Sequence, residues 1–426
     1  MIGTMYIGYA MSMVLRMIPT VAGTSMRGDS SLGIDLTVWG QILAAGTCGA
    51  MLGKFICGWA ADKFGGKRTF SVALFVASMF VGLFAVSSSF RMFQLTFFVT
   101  LMAQAAGWPS MTKIIVNWVP VHQYGRVWGI LSTSSRVGTL AATFLLGSLL
   151  AWISWRGMLW IASGVGMVIA VFYTRTMKEQ PAVPPSDPDP KQPQSHDFAI
   201  ADSVPRHPFT GLSLVQVIPR FLMSLRFWLI CGSLMGLTIL WDFLLLAPMY
   251  LQDTLGLSVT QASQAASAFP MGSLISVLAG GFVFDRLNRR TMAWVMGGLL
   301  LAATLCLLAF SCLPLLQLSG FPRFMVPVGL LFLFGLCVSP CYYIPASVFS
   351  IGFGGPHSGF LVAILDAVGF AATAAFYYFG GKIAETEGWS VLLRILAGIS
   401  FLSLLSTFLF MQREARAQLR QARATP

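Results

Sequence analysis

GWAADKFGGKR at residues 58–68 and GFVFDRLNRR at residues 281–290 are two copies of one sequence pattern. In each copy a glycine precedes an aspartate by four residues, and a basic cluster follows the aspartate. The glycine allows two helices to approach closely, and the aspartate can accept hydrogen bonds from a helix N-terminus or pair with an arginine. Because both copies follow an apolar helix, they predict a chain of two parallel halves with a binding site between them.

The composition of the chain indicates that most of its surface faces lipid. Of its 426 residues, 56% are hydrophobic and 10% are charged, whereas soluble domains carry about 25% charged residues. A helix needs about 20 apolar residues to cross the hydrocarbon core of a bilayer. The segments that meet this requirement predict an all-α membrane protein with twelve transmembrane helices, at residues 1–22, 36–59, 69–88, 91–119, 124–151, 156–176, 224–251, 261–284, 291–313, 323–350, 357–382 and 390–411.

The twelve predicted helices form two groups of six, separated by a polar segment that is rich in proline. We predict a six-helix bundle at residues 1–176, a cytoplasmic linker at 177–223, a second six-helix bundle at 224–412 and a basic cytoplasmic tail at 413–426. The segment between the bundles cannot bury enough apolar surface to fold by itself. The even number of crossings places both termini on the same side of the membrane.

The net charge of +12 is distributed as in a membrane protein rather than in a nucleic-acid-binding protein. Basic residues gather in short segments between apolar runs and in the tail, which is typical of cytoplasmic loops. The few asparagines, Asn117 and Asn288, form no glycosylation sequon. We therefore expect a monomer in a bacterial inner membrane, with both termini in the cytoplasm.

The sequence lacks motifs that several functional classes require. The seven cysteines lie in apolar stretches without a CxxC pair, and the four histidines lie in polar connections, so we predict neither disulfides nor a metal site. Without a GxxxxGK[ST] loop, ATP does not drive the protein directly. Without a nucleophile–base constellation, we expect no enzyme activity and no cofactor.

Short motifs of the first half carry a family resemblance. They are Gly8-Tyr9-Ala10 with Arg16, Lys54-Phe55, Gly107-Trp108-Pro109 with Lys113, ILSTS at residues 130–134 and Ser154-Trp155-Arg156. With the duplicated loop, they resemble the major facilitator superfamily, and within it the organophosphate:phosphate antiporter branch of glycerol-3-phosphate and glucose-6-phosphate transporters. The resemblance implies two pseudo-symmetric six-helix bundles. We expect charged residues near the duplicated loops and at the start of helix 5 to control the conformational change, namely Asp62, Arg68, Arg126, Asp285 and Arg286.

Ionisable side chains inside the predicted helices indicate a functional or pairing role, because each costs about 2.5–3.5 kcal/mol at the bilayer centre on insertion scales. The resemblance implies that Arg16 binds the anionic group of the substrate, a role that suits its planar fork of donors. Lys54 and Lys113 also match basic residues of the branch, and Lys113 follows Pro109 by one helical turn. For all three residues, snorkelling to the membrane surface is the alternative.

Arg136 departs from the antiporter branch, whose members tend to carry an uncharged polar residue at this position. It lies about 18 Å along helix 5 at 1.5 Å per residue, among serines and threonines at positions 132–135 and 139. A helix of this kind with a central arginine is expected to face a water-filled cavity. Structural pairing of Arg136 is the alternative.

The second half carries negative charge where the first half carries positive charge. The aspartates of the two loop copies give the repeat offset, 285 − 62 = 223, which places Ile239 opposite Arg16, where phosphate-transporting relatives have a second basic residue. This chain has Trp241 and Asp242 beside that position, and Asp366 at mid-depth of helix 11. A nearby carboxylate repels a phosphate of charge near −2, so the pattern disfavours a phosphate ester.

Three interpretations of this asymmetry stay open. The ligand is a zwitterion held by Arg16 and Arg136 at one end and by an aspartate at the other. Alternatively, it is an anion, and Asp242 or Asp366 carries a proton. In the third interpretation, Arg136 and an aspartate form an ion pair between the halves that opens and closes with alternating access.

Aromatic residues complete the predicted site. Tyr342 and Tyr343 follow Ser339-Pro340-Cys341 in helix 10, the counterpart of Gly107-Trp108-Pro109 in helix 4. A broken helix that carries phenols suits a binding cavity, and two adjacent tyrosines point in different directions. We therefore expect Tyr342, with Tyr9 and Trp241, to line the site.

The sequence predicts a secondary active transporter that moves a small anionic or zwitterionic organic solute by alternating access, coupled to a proton or a counter-transported anion. One alternative is a transporter-like sensor with a membrane signalling partner, since the resembling branch includes a sugar-phosphate receptor. A multidrug or cation exporter is the other. Asp242, Asp366 and the aromatic content favour an exporter, whereas Arg16 and Arg136 would repel cationic drugs.

Overall fold

The computed structural model describes residues 1–119, 124–179, 209, 214–283, 286–354 and 358–424, without the side chains of 124–126, 214–215, 281–282, 343–354, 358–360 and 417–424. Its α-helices are α1 Ile2–Arg27, α2 Leu36–Phe64, α3 Gly66–Val86, α4 Phe90–Gln104, α5 Gly107–Trp118, α6 Tyr124–Ala141, α7 Gly147–Leu149, α8 Trp155–Thr176, α9 Leu214–Leu222, α10 Leu225–Asp242, α11 Ala247–Leu255, α12 Val259–Ala266, α13 Ala268–Val283, α14 Arg289–Cys312, α15 Gly320–Gly354, α16 Ser358–Thr386 and α17 Trp389–Ala424.

These helices follow the twelve predicted crossings. In the described part of the chain, nine helical segments are long and apolar enough to cross a bilayer, and one of them continues from α10 into a 3-10 turn at Phe243–Leu245. The other three predicted crossings are interrupted helices. The fourth breaks between α4 and α5, the fifth contains a π-helical turn at Ala142–Leu146, and the eighth breaks between α12 and α13.

Side-chain caps and glycines set the helix boundaries. Asp35 accepts a hydrogen bond from the backbone N–H of Val38 at 2.7 Å at the start of α2, and Asn288 does the same for Thr291 at 2.8 Å in α14. Such caps satisfy N–H groups that have no partner within the helix. Gly65, at φ 88°, allows the sharp turn between α2 and α3 within the first loop copy.

The two halves repeat the same helix contact at equivalent positions. A Cβ atom on Gly49 of α2 would lie 2.1 Å from the carbonyl oxygen of Phe98 in α4. A Cβ atom on Gly272 of α13 would lie 2.0 Å from the carbonyl oxygen of Phe332 in α15. The positions of the two glycines differ by 272 − 49 = 223, which is also the offset of the loop copies. The sequence repeat is therefore also a repeat of helix packing.

The halves meet closely at one end of the molecule. We call the membrane face where α1 begins the terminal face and the opposite one the distal face. Near the distal face, a Cβ atom on Gly40 of α2 would lie 2.3 Å from the carbonyl oxygen of Tyr377 in α16. There Arg27 contacts Asp253 at 2.7 Å, and the amide of Gln264 contacts Ser148 Oγ at 3.0 Å. These contacts close the distal face.

The predicted boundaries of bundles, linker and tail stay predictions. Residues 180–208 and 210–213 of the predicted linker lie outside the described residues, and its last part contains α9. The helix α17 continues from the twelfth crossing into the predicted tail as far as Ala424.

Candidate functional site

A cavity of about 130 Å³ lies between the two halves. Side chains of α1, α2, α4, α5 and α6 line it from one half, and side chains of α10, α15 and α16 line it from the other. With Ala105 from the break in the fourth crossing, the lining residues are Tyr9, Met13, Arg16, Ala50, Lys54, Gln104, Trp108, Ser135, Arg136, Thr238, Trp241, Asp242, Tyr342 and Phe370. Seven of the nine residues predicted to bind substrate are therefore brought together.

An ion pair between the halves forms part of the wall of this cavity. The Arg16 Nη2 atom lies 3.3 Å from Asp242 Oδ1, and the side chain of Asp242 is 2% exposed. Asp242 ends α10, where the chain changes to a 3-10 turn, and its carbonyl oxygen accepts a hydrogen bond from the Tyr377 hydroxyl at 2.9 Å. The interrupted helix thus places a carboxylate from the second half against a guanidinium from the first.

A second ion pair joins the halves on the terminal side. The Lys54 Nζ atom in α2 lies 2.9 Å from Asp366 Oδ2 in α16, and these side chains are more exposed than Arg16 and Asp242. Phe370 follows Asp366 by one helical turn, and its ring centroid is 5.8 Å from the Arg16 guanidinium and 5.6 Å from the Lys54 ammonium. One aromatic ring therefore contacts both cations.

Arg136 takes its position from its own helix and from the opposite half. Its guanidinium donates to the carbonyl oxygen of Ser132 at 3.0 Å and to the hydroxyl of Ser135 at 2.8 Å. It also lies 5.3 Å from the ring centroid of Trp241. Neighbouring serine and threonine hydroxyls bond carbonyl groups one turn earlier in α6. These bonds let polar residues occupy a helix at membrane depth.

Aromatic rings form walls on both sides of the cavity. Tyr9 and Trp108 pack at 5.2 Å between centroids in the first half. In the second half, Trp241 and Tyr342 stack at 5.9 Å with an interplanar angle of 28°. Each half therefore contributes a pair of rings to the cavity.

The remaining predicted residues are outside the cavity. Asp366 pairs with Lys54, which lines the cavity. Lys113 contacts Asp62 at 3.3 Å, and the two side chains are 43% and 79% exposed, respectively. Arg68 lies in a surface cleft with Glu179, whose carboxylate accepts hydrogen bonds from the first N–H groups of α3. Arg286 is exposed. Asp285 and the side chain of Arg126 lie outside the described residues.

Several residues that line the cavity were not predicted from the sequence. Gln104 contacts Met13 Sδ at 3.3 Å. It lies three residues before the Gly107-Trp108-Pro109 motif, and this proximity could have identified it as a cavity residue. Phe370 and Thr238 carry no such signal, because aromatic and hydroxyl residues are common on helices that face lipid or other helices. Two of the ion pairs between the halves lie at the cavity, and they use Arg16 and Lys54. The third interpretation, an ion pair of Arg136 with an aspartate of the other half, stays a prediction.

On the distal face, outside the membrane-spanning helices, the pKa of Asp29 is lowered by its neighbours. The hydroxyl and backbone N–H of Ser31 donate to Asp29, and with the Arg156 guanidinium at 3.5 Å they hold the pKa of that carboxyl below its usual range. Charge-assisted hydrogen bonds favour the ionised carboxylate. This cluster belongs to the first half alone.

Curated relatives are transport and sensor proteins. The chain is 24% identical over 288 residues to the "Probable galactarate/D-glucarate transporter" of Escherichia coli, with 64% of this chain and 62% of that protein matched. It is 22% identical to the "Probable hexose phosphate transport protein" of Chlamydia pneumoniae, with 97% and 92% matched. It is also 22% identical to the "Membrane sensor protein" UhpC of Escherichia coli, with 94% and 90% matched. These relatives agree with the predicted branch resemblance.

Comparison with solved structures supports the same fold. A bacterial homologue of the human lysosomal transporter Spinster, in an inward-facing and unoccupied conformation, superposes with a TM-score of 0.71 over 96% of each chain at 16% identity. The family model described as "Major Facilitator Superfamily" matches residues 1–351 and, again, residues 243–426. The predicted all-helical fold of two six-helix bundles is thereby confirmed, and the chain belongs to the Major Facilitator Superfamily of multi-pass membrane transporters.

Proposed function

We propose that the protein is a secondary transporter that moves a small organic anion across a bacterial inner membrane by alternating access. The observation that carries this proposal is the meeting of Arg16 and Arg136 in one cavity between the halves. A guanidinium binds carboxylate and phosphate oxygens through charge-assisted hydrogen bonds. A cavity between the two halves can open to either side as the halves move.

The contacts of the two acids favour an anion over a zwitterion. Asp242 contacts Arg16, and Asp366 contacts Lys54, so each carboxylate has a cationic partner in the protein. A cationic group of a zwitterion would have to displace one of these partners. Arg16 meets Asp242 through one of its nitrogens, whereas a guanidinium carries five N–H donors, so it can hold Asp242 and a solute anion together.

The names of the relatives support an anionic solute. The Escherichia coli relative is named for galactarate and D-glucarate, and the Chlamydia pneumoniae relative for hexose phosphate. All of these compounds combine a polyhydroxylated body with an acidic group. At 22–24% identity the relatives support the class of solute and leave the individual solute to experiment.

The proposed movement starts from the state described above. Contacts between α2 and α16, between α1 and α11, and around Ser148 close the distal face. Opening that face requires these contacts to separate while the halves approach each other at the terminal face. We place the terminal face, with both termini, in the cytoplasm. Uphill transport would then be coupled to a proton on Asp366 or to a counter-transported anion.

Counterflow in proteoliposomes tests the proposal. Vesicles loaded with an unlabelled sugar acid should accumulate the labelled compound transiently, and Arg16→Ala should abolish this uptake while the variant still inserts. Arg91→Ala, at an exposed position of α4, is the matched control and should transport normally. Uptake by Arg16→Ala at the wild-type rate would remove Arg16 from the site.

A sensor is the second candidate, because the chain matches nearly the whole length of a curated membrane sensor protein. A sensor would bind the anion in the same cavity and pass the signal to a membrane partner. The same vesicles separate the two functions. Saturable binding without exchange of the bound anion would favour the sensor.

A further inference from the structure

We infer that Thr20 and Thr373 form an uncharged polar subsite, which contacts the solute between the distal face and the cavity. The subsite is buried in the state described above and becomes accessible when the distal face opens. The inference rests on the proposed function, because it assigns residues to the second state of alternating access. Two observations carry it: both threonines lie on helix faces that meet the other half, and their hydroxyl groups lack a hydrogen-bond partner among the described residues.

Thr20 lies on the face of α1 that meets the second half. Positions 16, 20, 23 and 27 follow one another at intervals of three or four residues and therefore share one face of the helix. Arg16 and Arg27 form ion pairs with aspartates of the second half, and a Cβ atom on Gly23 would overlap Met249 of that half. Thr20 thus lies between the cavity and the distal contacts, about 6 Å from Arg16 along α1 at 1.5 Å per residue.

Thr373 lies on the face of α16 that meets the first half. Positions 366, 370, 373, 377 and 381 share this face through the same spacing. Asp366 and Phe370 contact cations of the first half, and a Cβ atom on Gly381 would overlap the carbonyl oxygen of Leu36 in α2. Thr373 therefore also lies between the cavity and the closed distal face.

The hydroxyl groups of both threonines are buried without a partner. Thr20 and Thr373 are each 0% exposed, and neither Oγ1 atom has a hydrogen-bond partner among the residues that the structure describes. Other buried threonines donate to a carbonyl group one turn earlier, as Thr100 does to Thr96 at 2.8 Å. A buried hydroxyl group without a partner costs free energy, whereas valine has the same shape and avoids this cost. The closed state alone therefore does not explain a threonine at either position.

Two further polar groups without a partner in the described part of the chain lie where the halves meet. A Cβ atom on Gly23 would overlap the ring of Trp39 as well, and the buried Nε1 atom of this ring has no acceptor. Ser263 of the second half lies beside Gly147 of the first, and its hydroxyl group is also unpaired. Unpaired polar groups therefore recur at contacts that must separate when the distal face opens.

Opening of the distal face would expose the subsite before the cavity. The contacts of Arg27 and Leu36 lie nearest that face, both threonines lie deeper, and the cations of the cavity lie deeper still. A solute that enters from the distal side therefore passes Thr20 and Thr373 before it reaches Arg16. A hydroxyl group both donates and accepts hydrogen bonds, so the subsite suits hydroxyl or carbonyl groups of the solute rather than its anionic group.

Counterflow with matched variants tests the subsite. Thr20→Val/Thr373→Val removes both hydroxyl groups and keeps the shape of the side chains, whereas Thr20→Ser/Thr373→Ser keeps the hydroxyl groups. The control is Thr96→Val/Thr100→Val, at two buried positions whose hydroxyl groups donate to carbonyl groups of their own helix. The probes are labelled D-glucarate, D-glucuronate and D-glucose 6-phosphate. Size-exclusion chromatography first confirms that each variant is folded.

The probe concentration at half-maximal uptake should rise about fivefold or more in Thr20→Val/Thr373→Val, because two hydrogen bonds to the solute are lost. The serine variant and the control should keep the wild-type value. A wild-type value in the folded valine variant would overturn the inference, and so would an equal rise in the control. Absence of counterflow by the wild type with all three probes would instead contradict the proposed function.

Thiol labelling tests accessibility and solute contact separately. Thr20→Cys and Thr373→Cys should each react with a small membrane-impermeant thiol reagent in proteoliposomes, and saturating probe should slow both reactions about fivefold or more. Thr100→Cys should stay unreactive, and peptide mass spectrometry distinguishes the new thiols from the native ones. If neither new thiol reacts while counterflow is intact, the subsite is not accessible and the inference fails. Reaction rates that the probe leaves unchanged would exclude contact with the solute.

Discussion

At the scale of single residues, the protein places its few membrane-embedded charges around one cavity. An ionisable side chain at membrane depth is stabilised by a partner of opposite charge or by contact with water. Arg16 and Lys54 of the first half have their partners, Asp242 and Asp366, in the second. These ion pairs join the two halves at the cavity. We propose that the same charged groups bind the solute or carry the coupled proton.

Replacing Asp366 by asparagine tests the proposed coupling. The variant keeps the hydrogen-bonding capacity of the position but cannot gain or lose a proton. If a proton on Asp366 drives transport, Asp366→Asn should lose accumulation driven by a pH gradient while it keeps anion exchange at zero gradient. The measurement is uptake of labelled anion with and without an imposed pH gradient. Wild-type accumulation against the gradient by Asp366→Asn would exclude proton transfer at this position.

The fork of donors on Arg16 leads to a separate expectation. Lysine in its place keeps the positive charge but cannot hold two carboxylates in a planar arrangement. Arg16→Lys should therefore weaken anion binding by about 10- to 100-fold, the range expected for hydrogen bonds to charged groups. Thermal-shift titration of the purified variant measures this loss. Binding equal to the wild type would mean that charge alone, without directed hydrogen bonds, holds the solute.

The sequence predicted seven of the residues that meet in the cavity, but not which of them pair. Arg16, Arg136, Trp241 and Asp242 could be selected because charged and aromatic residues at the middle of apolar helices are rare enough to stand out. The pairing of Arg16 with Asp242 depends on the relative height of helices in different halves. A single sequence does not contain that height. Lys113 illustrates the problem: it was selected from the same set of motifs as Arg16 and Lys54, yet it lies outside the cavity beside Asp62.

At the scale of helices, glycines at repeated positions decide how the crossings pack. Gly49 and Gly272 face backbone carbonyl groups across helix pairs that correspond between the halves. The approach of two backbones at these points leaves no room for a side chain. One of these helices, α2, carries Lys54 of the cavity.

Alanine at these glycines should destabilise the protein, although alanine favours a helix elsewhere. At Gly49 and Gly272 the added Cβ atom would overlap a backbone oxygen, and overpacking costs about 1–3 kcal/mol or more. At Gly164 and Gly298, where no atom lies within 4 Å of the added Cβ, alanine should stabilise by up to about 1 kcal/mol through helix propensity. Melting temperatures of the four variants in detergent compare the two classes. Equal effects in both would show that these backbones do not approach closely.

Hydropathy predicted the number of crossings but missed their interruptions. Windows of apolar residues identify α1, α2 and α3 because each is a continuous apolar helix. The break after Gln104, the π-helical turn at Ala142–Leu146 and the break at Ser267 leave the average hydropathy almost unchanged. The break after Gln104 brings Gln104, Ala105 and Trp108 to the cavity. This part of the site could therefore not be predicted from the periodicity of apolar residues.

At the scale of the whole molecule, the two halves are in contact at the distal face, and two ion pairs join them at the cavity. Two acids of the second half hold the first half there. Asp253 contacts Arg27 and the indole N–H of Trp389, and Glu385 accepts a hydrogen bond at 2.9 Å from the backbone N–H of Leu36. These bonds must separate when the distal face opens.

The variant Asp253→Asn/Glu385→Gln should therefore favour the state that is open at the distal face. Removing two charge-assisted contacts should shift the equilibrium by about 1–3 kcal/mol, or about 5- to 150-fold. Distances between spin labels at exposed positions of the two halves near that face measure the shift. Glu387→Gln is the control, because it removes an equally exposed acid two residues from Glu385, whereas the hydrogen bond from Leu36 goes to Glu385. Distance distributions identical to those of the wild type would exclude these acids from closure.

We propose that cations of the first half and a carboxylate of the second half form one anion-binding site between the halves. A structure of the purified protein with a bound sugar acid tests this proposal. We predict the solute carboxylate within hydrogen-bonding distance of the Arg16 and Arg136 guanidinium groups. A bound acid elsewhere, with Arg16 and Arg136 shielded from it, would contradict the claim.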